Sequence, residues 1–347
     1  MRTFLIFLLL CSGQSVLAVS YPGSFVLKGY GANGIGLGGT YTATVRDPSA
    51  LYWNPAGLAN ISGEILELQA IEDDSSKDNF ASDPDFDELL GEIENIENQE
   101  GSGDAVVVEV KKRKFELQFY NSISYYARQR LAAASAIAFT LPVGTLAIGA
   151  QGLASPELEQ YDSAGTSLGS KRYMAYAGHA GYALEFGSIR IGTTLTGFQE
   201  DISGSKWHGA LMSAGLQLSP IPILAMGVTV HNLAGIVQRS AGVSTYRKPD
   251  TILNVSFAIS TPPPSDNLRI LFGFQGNLDQ PESDPLKAKI GAAYAINSYS
   301  YIVAGLNGGK PSAGLGFDWS FLRISYAITR DELGTEYEHH AELTFIF

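Results

Sequence analysis

Gly29, Gly31 and Gly34 stand in the order G-x-G-x-x-G, the spacing that lets a glycine-rich turn cradle a dinucleotide pyrophosphate. That chemistry needs a strand before the turn and a helix after it. No β-α-β alternation surrounds these glycines, so they read instead as close-packed backbone. Asp83, Asp85, Asp87 and Glu94 occupy positions one, three, five and twelve of a calcium-loop pattern. Glu88, however, stands where the sharp turn of such a loop needs glycine. Asp83-Pro84 is a helix-starting pair, and Phe86, Leu89, Leu90, Ile93 and Ile96 follow at helical spacing, which predicts an amphipathic helix. The histidines His179, His208, His231, His339 and His340 show no metal-ligand spacing, and His339 and His340, adjacent on a strand, would point to opposite faces. No Ser-His-Asp order is present. The residues predict no enzyme, no cofactor and no metal.

The elements that carry these residues are strands. In the last ten residues Ala341, Leu343, Phe345 and Phe347 point one way and His340, Glu342 and Thr344 the other. Period-two segments recur at 131–141, 145–154, 173–186, 189–200, 207–218, 223–232, 251–260, 268–278, 286–296, 299–307, 313–319, 321–329 and 338–347. In 286–296, for instance, Leu286, Ala288, Ile290, Ala292, Tyr294 and Ile296 face away from Lys287 and Lys289. With 64–71 as the first strand, this pattern predicts an all-β, antiparallel transmembrane barrel of about 14 strands, an even number as bacterial barrels require. The alternation at Phe115, Leu117 and Phe119 reads as an extension of the first hairpin above the membrane. Aromatics near strand ends, among them Tyr173, Trp207, Tyr299, Trp319 and Phe321, suit the two interfacial girdles. Histidines on such strands read as lumen-facing polar residues. Tight connections at 187–188, 219–222, 297–298 and 320 are expected on the periplasmic side, and the longer ones at 155–172, 233–250, 279–285 and 330–337 outside.

Composition agrees with a barrel whose strands are half lumen and half lipid. Only 17% of residues are charged, with 38 glycines and 17 tyrosines. Arg2 followed by the apolar run Phe4–Leu10 and the small residues before Ala18 predicts a signal peptide over 1–18. The one cysteine, Cys11, lies inside it, so the mature chain is expected to form no disulfide. No later stretch holds the roughly 20 apolar residues of a spanning helix. A net charge of −12 argues against nucleic acid as a partner. The organisation expected is a signal peptide (1–18), an N-terminal plug or hatch (19–63) and a barrel (64–347). The barrel carries the acidic insert 72–104, read as part of the first extracellular loop.

The segment Gly38-Gly39-Thr40 through Asp47-Pro48 to Tyr52-Trp53-Asn54-Pro55-Ala56-Gly57-Leu58 resembles the amino-terminal signature of FadL-like outer-membrane proteins, most closely the PorV/PorQ branch. Weaker ordered matches follow at Val230-His231-Asn232-Leu233, Lys248-Pro249-Asp250, Asp279-Gln280-Pro281, Ser312-Ala313-Gly314 and Glu332-Leu333-Gly334. The resemblance implies a 14-strand barrel in the bacterial outer membrane, with the segment bearing Gly38, Gly39, Asp47, Asn54, Pro55 and Gly57 folded into the lumen as a hatch. It also places the assembly signal at Phe347. The residues fit such a bend. Asp47-Pro48 can start a short helix, Asn54 precedes Pro55 and so leaves the helical region, and Gly57 permits a turn into the first strand. The function expected is transport of hydrophobic small molecules, with outer-membrane lipid as surroundings. The alternative is a PorV-like role as a partner of secreted or surface proteins.

Overall fold

The computed structural model describes residues 22–27, 29–61, 64–71, 106–113, 115–127, 129–161, 166–202, 204–240, 249–262, 267–282, 286–331 and 335–347. The predicted signal peptide, the acidic insert with its helix and calcium-loop pattern, Lys248 and Glu332–Gly334 lie outside the described residues.

Fourteen antiparallel strands, each hydrogen-bonded to its sequence neighbours, close into a barrel. They are β1 (Leu117–Tyr126), β2 (Arg130–Leu141), β3 (Gly144–Ala154), β4 (Met174–Phe186), β5 (Ile189–Ile202), β6 (Ser205–Ile221) and β7 (Leu224–Arg239). There follow β8 (Ile252–Ser260), β9 (Leu268–Asn277), β10 (Lys287–Ala295), β11 (Ser300–Asn307), β12 (Lys310–Asp318), β13 (Leu322–Arg330) and β14 (Tyr337–Ile346). Closure is made by β14 on β1, from His339 opposite Tyr125 to Ile346 opposite Gln118. Beyond that ladder Leu117 N donates to Phe347 O at 3.0 Å and Phe347 N to Leu117 O at 2.8 Å. A closed ladder leaves no strand edge, and that is what lets a sheet sit in hydrocarbon.

Side chains alternate between a packed interior and an apolar exterior. On β1 Gln118, Tyr120, Ser122 and Ser124 are buried while Ile123 is 51% exposed. On β14 His340, Glu342 and Thr344 point inward, the face the sequence predicts. The outward residues include Ile148, Leu195, Ile236, Phe272, Ile302 and Ile324, a large exposed apolar surface that water would disfavour and lipid would not. This is a membrane barrel.

Four sequence expectations change. Residues Glu64–Ile71 are not a barrel strand; they pair with Val106–Arg113 in a separate two-stranded sheet. Their alternation identifies a strand but does not say which sheet it joins. Leu117–Tyr126, read as an extension above the membrane, is instead the first wall strand, so the count of fourteen stands with a different first member. Connection length separates the two rims less cleanly than expected. The connections 127–129, 203–204 and 308–309 are tight, yet they share a rim with the long ones. Finally, β6 and β7 run past their predicted ends because the wall is taller there. At Asn232, with φ 55°, β7 bulges, and residues 231–233 face Ser213 alone.

Candidate functional site

Residues 29–61 form no strand and pair with none. They run through the barrel interior as short helical turns: α1 (Ala32–Gly36), a turn at Tyr41–Ala43, α2 (Ala50–Trp53) and a turn at Pro55–Ile61. Gly38, Gly39, Asp47, Asn54, Pro55 and Gly57 are all buried. Asp47 stands two residues before Ser49, the N-cap of α2, and turns the chain into it. Ser49 N donates to Asp47 Oδ1 at 2.9 Å, and the Ser49 hydroxyl donates to the same oxygen. Asn54, extended at φ −162° and ψ 108°, ends α2 ahead of Pro55. Gly57 has a different reason from the one expected: a Cβ there would press on the Val45 carbonyl oxygen at 2.6 Å, and no barrel strand follows.

Three sets of polar contacts seat this segment. First, Asn33 Nδ2 donates to Glu342 Oε1 (2.8 Å) and Ser325 Oγ (3.1 Å), while Tyr301 OH donates to Asn33 Oδ1 (2.7 Å). Second, Asp47 accepts from Tyr41 OH at 2.7 Å and lies 3.7 Å from Arg323 Nη1, whose Nη2 pairs with Asp318 at 3.0 Å. Burial holds the Tyr41 phenol well above its ordinary value of 10.0, and the Asp47 charge adds to this. Third, Asn54 Nδ2 donates to Thr42 O (2.8 Å) and Leu216 O (3.1 Å), and Asn54 Oδ1 accepts from Ala56 N (3.1 Å). Beside it Gln217 Nε2 donates to Thr42 O at 3.0 Å, and Asn60 Nδ2 to Gln217 Oε1 at 2.5 Å.

Between these contacts the fit depends on missing side chains. Inward glycines on eight strands face the segment: Gly149, Gly181, Gly192, Gly215, Gly227, Gly273, Gly291 and Gly305. A Cβ on Gly227 would come within 2.6 Å of Ala43 Cα, and one on Gly291 within 2.6 Å of Leu37 O. The segment answers in kind: Gly38, at φ 65°, puts its own missing Cβ 2.6 Å from Leu306 N. Gly29 and Gly34 each lie against the Trp53 indole, and Gly31, at φ 94°, lies against Tyr120 and Glu342. The G-x-G-x-x-G run is therefore close-packed backbone. Sequence reasoning did not find the wall glycines, nor Arg323, Gln217 and Tyr301. Single inward glycines on alternating strands were the available signal.

A cavity of about 30 Å³ remains between the segment and β7–β10. Leu27, Tyr52, Trp53 and Ile252 give it apolar walls, and His231, Asn254, Gln275 and Lys289 give it polar ones. The Lys289 ammonium is buried, 3.3 Å from Asn254 Oδ1 and 3.5 Å from Gly39 O. Pockets for small ligands run to roughly 300–1,000 Å³, so the segment as seated leaves no ligand-sized space here. His179 and His340 are buried in the lumen, as expected. His208 and His339 are on the outer face instead, His339 beside Tyr326.

No family model matches the chain, and no curated protein does. Solved structures match its fold. The toluene transporter TbuX of Ralstonia pickettii superposes with a TM-score of 0.53 at 13% identity, covering 93% of this chain and 98% of that one. The monoaromatic hydrocarbon channel CymD gives 0.52 at 12%, covering 92% and 96%. The toluene transporter TodX of Pseudomonas putida gives 0.50 at 12%, covering 92% and 97%. At these identities the likeness establishes the barrel fold.

Proposed function

We propose that this chain carries hydrophobic small molecules across the bacterial outer membrane, with residues 29–61 as the hatch that must move for passage. The observation that supports this most is how the lumen is closed. The blocking segment shares no strand pairing with the wall and is held by side-chain contacts that can be released together. The structural neighbours, toluene transporters and a hydrocarbon channel, support the same ligand class. The narrower likeness to the PorV/PorQ branch rests on the glycine-rich turn at Gly38-Gly39, on Asp47 and on Tyr52 to Leu58, and stays part of this proposal.

The test compares uptake of a hydrophobic fluorescent probe by cells with the chain, without it, and with it restored, at matched outer-membrane content. Transport predicts faster uptake with the chain. Equal uptake in all three, with the barrel folded and in the membrane, would overturn it. A secreted protein co-purifying with the chain in that case would point to the secretion role.

A further inference from the structure

The cavity between the lumen segment and β7–β10 holds a cation without an opposite charge. The Lys289 side chain is buried, and its two partners, Asn254 Oδ1 and Gly39 O, are neutral. Among the described residues its ammonium forms no ion pair. Asp250 and Asp279, just beyond the ends of β8 and β9, are held elsewhere. Asp250 accepts from Asn277 Nδ2 at 3.1 Å and from Gln280 Nε2 at 3.2 Å, and Asp279 accepts from Thr251 N at 2.8 Å. The titratable groups close enough to act on Lys289 are Lys287 on its own strand and His231 on β7, and neither can supply a negative charge. A buried ammonium answered only by dipoles keeps much of its desolvation cost. The rest of the polar lining offers donors. Lysine has three N–H groups, and two of them are engaged here. Asn254 and Gln275 carry amide N–H groups and His231 a ring N–H, and all three side chains line the same space. Among the described residues the Gln275 and His231 side chains have no hydrogen-bond partner. A water-sized particle takes roughly 10–15 Å³. The cavity, at about 30 Å³, therefore admits a monatomic ion and excludes an organic anion.

We propose that this cavity binds a small inorganic anion of chloride's size, held by Lys289 and by the N–H groups of Asn254, Gln275 and His231. The site is shared between two parts of the molecule. Its polar residues come from four wall strands, β7 to β10, and Tyr52 and Trp53 of the lumen segment cover it. An anion there neutralises Lys289 away from water only while the segment is seated, and withdrawal of the segment opens the site. Binding is therefore linked to seating: the ion favours the seated state, and does so more as its concentration rises above its dissociation constant. The inference uses the seated geometry only and holds whether or not the barrel carries hydrophobic molecules.

The experiment uses the purified barrel in detergent, with Trp207→Phe and Trp319→Phe so that Trp53, which lines the cavity, is the one tryptophan left. Bromide, a heavy-atom quencher close to chloride in size, is titrated against gluconate at constant ionic strength. The result expected is quenching of Trp53 that saturates with bromide and is relieved by chloride but not by gluconate. Proteolysis of the lumen segment should also be slower in chloride than in gluconate. Lys289→Met should abolish the saturable quenching and leave only the linear, collisional part. Quenching that rises linearly with bromide and ignores chloride, in the barrel that keeps Lys289, would overturn the proposal. That readout needs no substitution in the cavity, so it stands even if Lys289→Met fails to seat the segment. Saturable quenching that persists in Lys289→Met would overturn it as well, because the ion would then be bound elsewhere.

Discussion

Replacing Asn54 by alanine is the sharpest test of the seated segment, because one small side chain fastens three things. Its amide ties Thr42 O and Leu216 O, the latter on the wall, and its oxygen caps Ala56 N. Asn54 is fully buried, so water cannot readily substitute for the lost contacts. A hydrogen bond of this kind contributes about 1 kcal/mol net, and a buried group left without a partner costs about 1–3 kcal/mol. Thr42 O keeps the bond from Gln217. The loss therefore comes to about 2.5 kcal/mol, which at roughly 1.4 kcal/mol per tenfold raises the unseated fraction on the order of fifty- to one-hundredfold. The strand ladder is untouched, so the barrel should still migrate faster unheated than boiled on a detergent gel. Two readouts follow at equal barrel content: faster uptake of a hydrophobic probe, and a red shift in the emission of Trp53, whose indole now packs on Gly29 and Gly34. Unchanged uptake together with unchanged Trp53 emission would refute the claim that Asn54 seats a movable segment.

Other outcomes follow from the same geometry. Asp47→Ala strips Tyr41 and Ser49 of their acceptor and leaves buried Arg323 with Asp318 alone, so limited proteolysis should cut the lumen segment more readily, with a loss of about 3 kcal/mol in its seating. Gly227→Val puts methyl groups into the path of Thr42 and Ala43 and should unseat the segment while the barrel still assembles, seen as the same Trp53 shift. Deleting Phe347 removes the two backbone bonds to Leu117 and the edge contact with Phe119 at 5.8 Å; the amount of folded barrel in the membrane should fall, as quantified by heat-modifiable band intensity. The Tyr41 phenol is raised above 10.0 by burial first and by Asp47 next, so its share of the seating is intact below pH 10 and is lost as pH rises beyond that; proteolysis of the segment should accelerate as pH climbs past 10, and Tyr41→Phe should remove that alkaline acceleration.

The barrel was legible from the sequence because its two-residue period is enforced twice, by lipid outside and by packed polar groups inside. Tyr337–Ile346 and Lys287–Ala295 alternate cleanly for that reason. The same signal misled at Glu64–Ile71. Ile65, Leu66 and Leu68 pair with Val106–Arg113, and periodicity carries no information about a partner forty residues away. The plug was legible in part. Asp47, Asn54 and Pro55 act locally, on their own backbone, and local chemistry can be read from neighbours in the chain. Its counterparts on the wall could not be read so. Arg323 meets Asp47, and Glu342 meets Asn33, across most of the length of the chain, and only closure of the barrel brings them together.

The eight bare positions on the wall also set the bore. Where a strand shows no side chain to the lumen, the hole through the sheet is at its widest, limited by backbone alone. Those bare positions are the ones that face the lumen segment. Partial withdrawal would therefore leave the waist blocked by chain as thick as before, and full withdrawal would open the whole waist in one step. A single barrel in a planar bilayer should accordingly switch between near-zero and one large conductance, with few levels between.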